Sequence, residues 1–121
     1  MITWKWLSAF VFSALVLPAE TAHAINPFSR SGFDLTGSDV QILMETTRPF
    51  LEDDTVSIGT AKTWTNPQSG NNGMATLIAR FEHQGMPCRR IQHDIKIKTK
   101  ADPFRFIIDR CRVADGTWKM L

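Results

Sequence analysis

The chain has 121 residues, 14 Lys and Arg against 12 Asp and Glu for a net charge of +2, and two cysteines. That length suits one domain. Residues 85–121 carry nine bases against four acids, and residues 25–60 six acids against two bases, without the dense basic stripe and stacking aromatics that nucleic acid requires.

Met1 to Lys5 carries one positive charge, and Trp6 to Leu17 (WLSAFVFSALVL) is a twelve-residue apolar run interrupted only by serines. Pro18 breaks the run, and Ala22-His23-Ala24 supplies a small–x–small pattern. A spanning helix needs about 20 apolar residues. The run therefore reads as the apolar core of a signal peptide, residues 1–24, cut after Ala24, rather than as a buried first helix. No cysteine lies near the cut, so no lipid anchor is expected, and no transmembrane span is expected after cleavage. The exported chain, Ile25 to Leu121, keeps 97 residues and both cysteines, Cys88 and Cys111. A core this small is marginal, and an even cysteine pair in an exported chain reads as a disulfide. A redox pair favours C-x-x-C spacing, and zinc needs further ligands at short spacing. His83 and His93 are candidates by type only, so no metal is assigned.

Residues 25–34 (INPFSRSGFD) form an irregular lead-in, and residues 35–121 a single domain. Ser38 and Gln41 have capping-box spacing, and Thr36 with Asp39 offers a second frame for the same helix start. Val40, Leu43, Met44, Phe50 and Leu51 then fall on one side at helical spacing, with Ile42 at the margin. Pro49 is expected to kink or end the helix. Strands are predicted over Val56 to Trp64, Met74 to His83, Arg89 to Lys98, Phe104 to Val113 and Thr117 to Leu121. The Thr65–Gly73 stretch is almost pure turn chemistry, and Asp115-Gly116 is a strong hairpin signal. The predicted fold is α+β: one N-terminal helix packed on a four- to five-stranded antiparallel meander, with one disulfide.

The third and fourth strands can be registered from sequence. With a turn at Thr99-Lys100, Ile95 opposes Phe104, His93 opposes Phe106 and Ile91 opposes Ile108. The other face pairs Asp94 with Arg105 and Arg90 with Asp109. The same register sets Cys88 opposite Cys111, and a one-residue slip would invert every side chain. A two-residue turn at Asp115-Gly116 pairs Trp118 with Val113 and Met120 with Cys111. Val113, Trp118 and Met120 would then join the disulfide in an apolar patch on the face away from the helix, either covered by the lead-in through Phe28 and Phe33 or used for binding.

Catalytic patterns are missing. No G-x-S-x-G, H-E-x-x-H, Walker loop or G-x-G-x-x-G occurs. Glu82 and His83 point to opposite faces of a strand. His93 reads as a hydrogen-bonded inner-face histidine, and Trp64 as a core anchor before the long turn. No catalytic residue and no cofactor is assigned.

The residues Trp64, Asn66, Pro67, Ser69, Gly70, Asn71 and Gly73, then Cys88-Arg89, Cys111-Arg112 and Asp115-Gly116-x-Trp118, form a pattern spanning Thr60 to Lys119. It resembles the C-terminal domain of the rickettsial-type 17-kDa surface antigens, with their W-x-N-P-x-S-G-N-x-G turn, G-x-x-C-R and C-R-x-x-D-G-x-W. Many such antigens are lipoproteins with a glycine zipper before this domain; here the segment Thr36–Leu51 stands there instead. The resemblance implies a cell-envelope domain with no defined reaction. The expectation is a non-enzymatic exported module, periplasmic or peripheral to the outer membrane, that binds an envelope protein or polymer. The alternative is a small periplasmic inhibitor or accessory partner of an envelope hydrolase.

Overall fold

Of the two helix starts open in the sequence, the Thr36 frame forms. The structure, a computed structural model, describes residues Asp34 to Leu121. The expected signal peptide, residues 1–24, and the expected lead-in up to residue 33 lie outside the described residues. Asp39 N–H donates to Thr36 Oγ1 at 3.1 Å, and Thr36 N–H donates to Asp39 Oδ2 at 2.8 Å. This capping box satisfies orphan donors at the start of helix α1 (Gly37–Glu52). Pro49 does not end the helix, which runs on to Glu52, and the Asp53 N–H donates to the Pro49 carbonyl to close the last turn.

Five strands follow, β1 (Ala61–Thr65), β2 (Asn72–His83), β3 (Met86–Lys96), β4 (Phe104–Arg112) and β5 (Trp118–Met120). They form one antiparallel sheet in the order β1-β2-β3-β4-β5. The fold is α+β with one disulfide. The first strand is shorter than predicted. Val56 N–H bonds the Asp53 carbonyl and Thr60 N–H the Ser57 carbonyl, so two successive turns consume residues 53–60.

Helix α1 buries Leu43, Thr47, Phe50 and Leu51. Leu43 packs with Trp64, Ile95 and Ile97, and Phe50 and Leu51 with Ala75, Leu77 and Ile91. Trp64 is thus a core anchor, and its position dictates Gly73 opposite it. A Cβ on Gly73 would sit 2.6 Å from the indole Nε1 and 2.8 Å from the Asp94 carbonyl, so only glycine admits the ring.

The β3–β4 register is the one predicted, with Cys88 opposite Cys111, Arg90 opposite Asp109, His93 opposite Phe106 and Ile95 opposite Phe104. The connection is longer than two residues. Pairing stops at Ile95 and Phe104, and the Lys100 N–H closes a turn onto the Ile97 carbonyl. Cys88 and Cys111 are bonded with a Cα separation of 4.1 Å. The flanking Arg90–Asp109 and Arg105–Asp94 pairs are partly solvated and contribute little stability.

Two one-residue events alter which side chains share a face. In β2, Leu77 opposes Ile91 but Ala79 opposes Arg90, so Ile78 is an extra, bulged residue. Beyond it Arg80 turns to the helix side opposite Arg89, and Phe81 to the outer side opposite Cys88.

The second event corrects the expected patch. The last turn holds three residues, Ala114, Asp115 and Gly116. Gly116 N–H bonds the Val113 carbonyl, Val113 N–H bonds the Thr117 carbonyl, and Gly116 has φ of 88°. This is the type I turn plus left-handed glycine of a three-residue hairpin, and Asp115 Oδ1 accepts from both Thr117 N–H and its hydroxyl. Trp118 therefore pairs with Arg112, and Met120 with Arg110. Both lie on the helix side, and the patch of Val113, Trp118 and Met120 around the disulfide does not form. The disulfide is nevertheless buried, with Cys88 at 0% and Cys111 at 1% exposure. Phe81 opposes it across the strand, and the Arg90 guanidinium lies 5.0 Å from the Phe81 ring.

Candidate functional site

Two polar constellations stand out, and each draws on part of the motif. The first surrounds Asp39, which is wholly buried. Ser69 Oγ and Asn66 Nδ2 donate to its Oδ1 at 2.6 and 2.7 Å, and Asn71 Nδ2 donates to its Oδ2 at 2.7 Å. The loop that supplies these donors is itself braced. Asn66 Oδ1 accepts from Gln68 N–H, Gly70 N–H bonds the Asn66 carbonyl, and Asn71 Oδ1 accepts from Lys98 N–H. Burial by itself would raise the carboxyl pKa. The bonds from Ser69, Asn71, Thr36 and Asn66 outweigh it and hold the value at about 2. The N-P-x-S-G-N turn is thus a receptor for the chain's own helix, and its polar atoms are consumed by the fold.

The second constellation lies at the other end of α1. The register sets Arg80 opposite Arg89 and Arg89 opposite Arg110 on one face of three neighbouring strands. Arg89 is buried. Its Nε donates to the Phe50 carbonyl at 3.2 Å, and its Nη2 pairs with Asp54 at 2.7 Å, a carboxylate whose side chain is 84% exposed. Arg80 Nη2 donates to the carbonyls of Asp53 and Val56. Trp118 lies within cation–π reach of two guanidiniums, Arg89 at 5.2 Å and Arg112 at 5.8 Å from its ring centre, distances at which the ring attracts both charges. This Arg89–Trp118–Arg112 stack joins three segments of the chain at one corner.

His93 lies on the same face, 3% exposed and stacked on Phe106 with ring centres 4.9 Å apart. Burial pushes its pKa down to about 4, the positive charge of Arg110 pushes the same way, and Asp94 opposes them. A histidine held neutral below its unfolded pKa of about 6.5 destabilises the fold as protons become available to the unfolded chain. Stability is therefore expected to be highest above pH 6.5 and to fall by about 3 kcal/mol as pH drops through 4. Urea midpoints at pH 7 and pH 4.5 measure this, and a His93→Gln chain should lose most of the difference.

The sequence-derived residues fall into clear groups. Trp64, Asn66, Gly70 and Gly73 build the β1–β2 end of the molecule, with Pro67 exposed in its turn. Asp115 and Gly116 form the last turn. Cys88 and Cys111 join on the outer face, while Arg89, Arg112 and Trp118 meet on the helix side. Sequence reading missed Asp39 as the centre of a network and missed Arg80 and Arg110. The N-cap spacing was the available signal for the first, and no local signal marked the other two. Among the described residues no group of three or more His, Cys, Asp or Glu is placed to hold a metal ion, and no helix is long and apolar enough to cross a membrane.

Comparison with known proteins adds one match. The family model described as 17 kDa outer membrane surface antigen covers residues 53–119. That span holds the Asn66–Asn71 receptor loop and the Arg89–Trp118–Arg112 stack, and it begins after the helix that supplies Asp39. No curated protein and no solved structure matches the chain.

Proposed function

This chain belongs to the 17 kDa outer membrane surface antigen family, and on that premise we propose that it is a non-enzymatic, exported envelope module that acts by binding. The observation that carries this reading is the meeting of Arg89, Trp118 and Arg112 at one corner. The polar motif residues Asn66, Ser69 and Asn71 are spent on closing the fold around Asp39. The Arg112 side chain is exposed and Trp118 half-buried, so this corner is available to a partner, and aromatic and arginine side chains dominate recognition energy where a surface is used for binding.

The exported chain begins at Ile25 in this reading, and intact-mass measurement of protein recovered from the envelope checks it; a retained Met1 or an attached acyl chain would contradict it. Capture tests the function itself. A tagged chain is expected to fractionate with the envelope and to retain an envelope protein or polymer after cross-linking. Arg112→Ala should lose that capture while costing stability only one exposed cation–π contact, about 0.5–1 kcal/mol. Equal capture by the variant would remove the corner from the reading, and a single stoichiometric hydrolase among the captured proteins would make the module an inhibitor.

A further inference from the structure

Helix α1 lies chiefly over β1 and β2, at the far end of the strand order from β4 and β5. On the same side of the sheet β4 presents Phe104, Phe106 and Ile108 at alternate positions, and Met120 of β5 joins them against the buried core of Leu43, Trp64, Ile95 and Ile97. All four are half-buried. They form an apolar strip beside the helix, continuous with the core, of the kind that soluble proteins either cover or use.

The described chain begins beside this strip. Asp34 pairs with Lys100 at 3.3 Å, in the connection that leads into β4, and Leu35 packs against the same core cluster. Going back from Asp34, Phe33 is the next residue and Phe28 lies five further, in the segment INPFSRSGF over residues 25–33. Extended chain rises about 3.3 Å per residue. The five steps from Phe33 to Phe28 therefore cover about 16 Å, and the four from Phe104 to Ile108 about 13 Å. One aromatic ring can thus reach each end of the strip. Seating both rings needs a break in strict strand alternation, which Gly32 permits. Tethering favours this occupant over any other, because a segment joined to the edge of its own site acts at a millimolar effective concentration.

We propose that the helix-side strip of β4 and β5 is the docking site of the chain's own N-terminal segment, residues 25–33, with Phe33 at Phe104 and Phe28 at Ile108 and Met120. Segment and helix together then cover the inner face of the sheet. The lead-in is thereby placed on the face opposite the disulfide, not on the outer face where the sequence pattern sets it. The proposal goes beyond the binding reading above and does not depend on the Arg89–Trp118–Arg112 corner.

The test is nuclear Overhauser spectroscopy on the full exported chain, with thermal melting of variants as a second readout. Cross-peaks from the Phe28 ring to the methyl groups of Ile108 and Met120 are expected in the parent chain. Phe28→Ala and Ile108→Ala should each lower the melting temperature. The double variant should lose clearly less than the sum of the two, because truncations of residues in contact do not add. Mixed labelled and unlabelled chains separate the occupants. Cross-peaks within one molecule support the proposal, whereas cross-peaks only between molecules assign the strip to a second copy and overturn it. Additive losses, with no cross-peak from the segment to the strip, overturn it as well. Envelope capture that is lost in Ile108→Ala, in a chain whose segment shows no such cross-peak, would assign the strip to an outside partner and sink the inference.

Discussion

Replacing Asp39 with Ala is expected to destabilise the domain by about 3–5 kcal/mol, the range for breaking a buried charge network by removing one partner. Three side-chain donors, from Asn66, Ser69 and Asn71, converge on this carboxylate, and the Thr36 N–H makes a fourth bond to it. Deleting the acceptor strands them in a dry site, where each unsatisfied group costs about 1–3 kcal/mol, although such costs are not additive. The helix also loses its capping box, worth about 1 kcal/mol. Asp39→Asn keeps the volume but presents an amide donor to other donors, so it should fall close to Ala. The pH dependence gives an independent check. Asp39 has a folded pKa of about 2, below the unfolded value of about 3.9. Its stabilisation is therefore complete above the unfolded value and is lost as pH falls through 2, an amount of about 2.5 kcal/mol. The gap in unfolding free energy between parent and Asp39→Ala should narrow by about 2 kcal/mol, most of that amount, between pH 7 and pH 2. A gap that stays constant with pH would show that the carboxylate charge is not what the loop recognises.

The second large effect belongs to the disulfide. Joining Cys88 to Cys111 closes a loop with a sequence separation of 23, and loop-closure entropy gives about 3 kcal/mol of stabilisation for a loop of this order. In a domain of this size each kcal/mol moves the melting temperature by about 4–8 °C. The Cys88→Ala, Cys111→Ala chain should therefore melt roughly 10–20 °C lower than the parent. Its sheet should keep the same register, because Ile91, Ile95, Phe104 and Ile108 still specify it. Burial of both sulfurs predicts a further property. Thiol–disulfide exchange needs access to the sulfur, so reduction of the native protein by dithiothreitol should be slow and should accelerate in urea in step with unfolding. Fast reduction of the folded chain would mean that the face formed by Phe81 and Arg90 opens readily, contrary to the packing described above.

The β3–β4 hairpin could be read from the amino-acid sequence because several signals shared one solution. Apolar residues at alternate positions, opposite charges on the other face and the two cysteines all agree only when Cys88 opposes Cys111. The helix was legible for a similar reason, since its apolar spacing and its caps agree, although two cap frames remained open. Tertiary closure chose between them. Asp39 takes its place as N3 of the capping box together with donors some 30 residues away in the loop from Asn66 to Asn71, and no local pattern encodes that distance.

The composition of the candidate site was the part that sequence could not decide. Side chains alternate with period two along a strand, so a single inserted residue inverts every face assignment beyond it. The bulge at Ile78 does this in β2 and brings Arg80 beside Arg89. The third residue in the Ala114–Gly116 turn does it between β4 and β5 and carries Trp118 and Met120 to the helix side. Asp115-Gly116 satisfies either a two-residue or a three-residue hairpin locally. The three-residue form places Trp118 against the core of Phe50, Leu77 and Ile91, and Met120 against that of Leu43 and Ile95. Sequence alone determined the order of helix and strands and which cysteines meet. The arginine row and its tryptophan exist only because burial on the assembled sheet decided two single-residue shifts that local chemistry left equal.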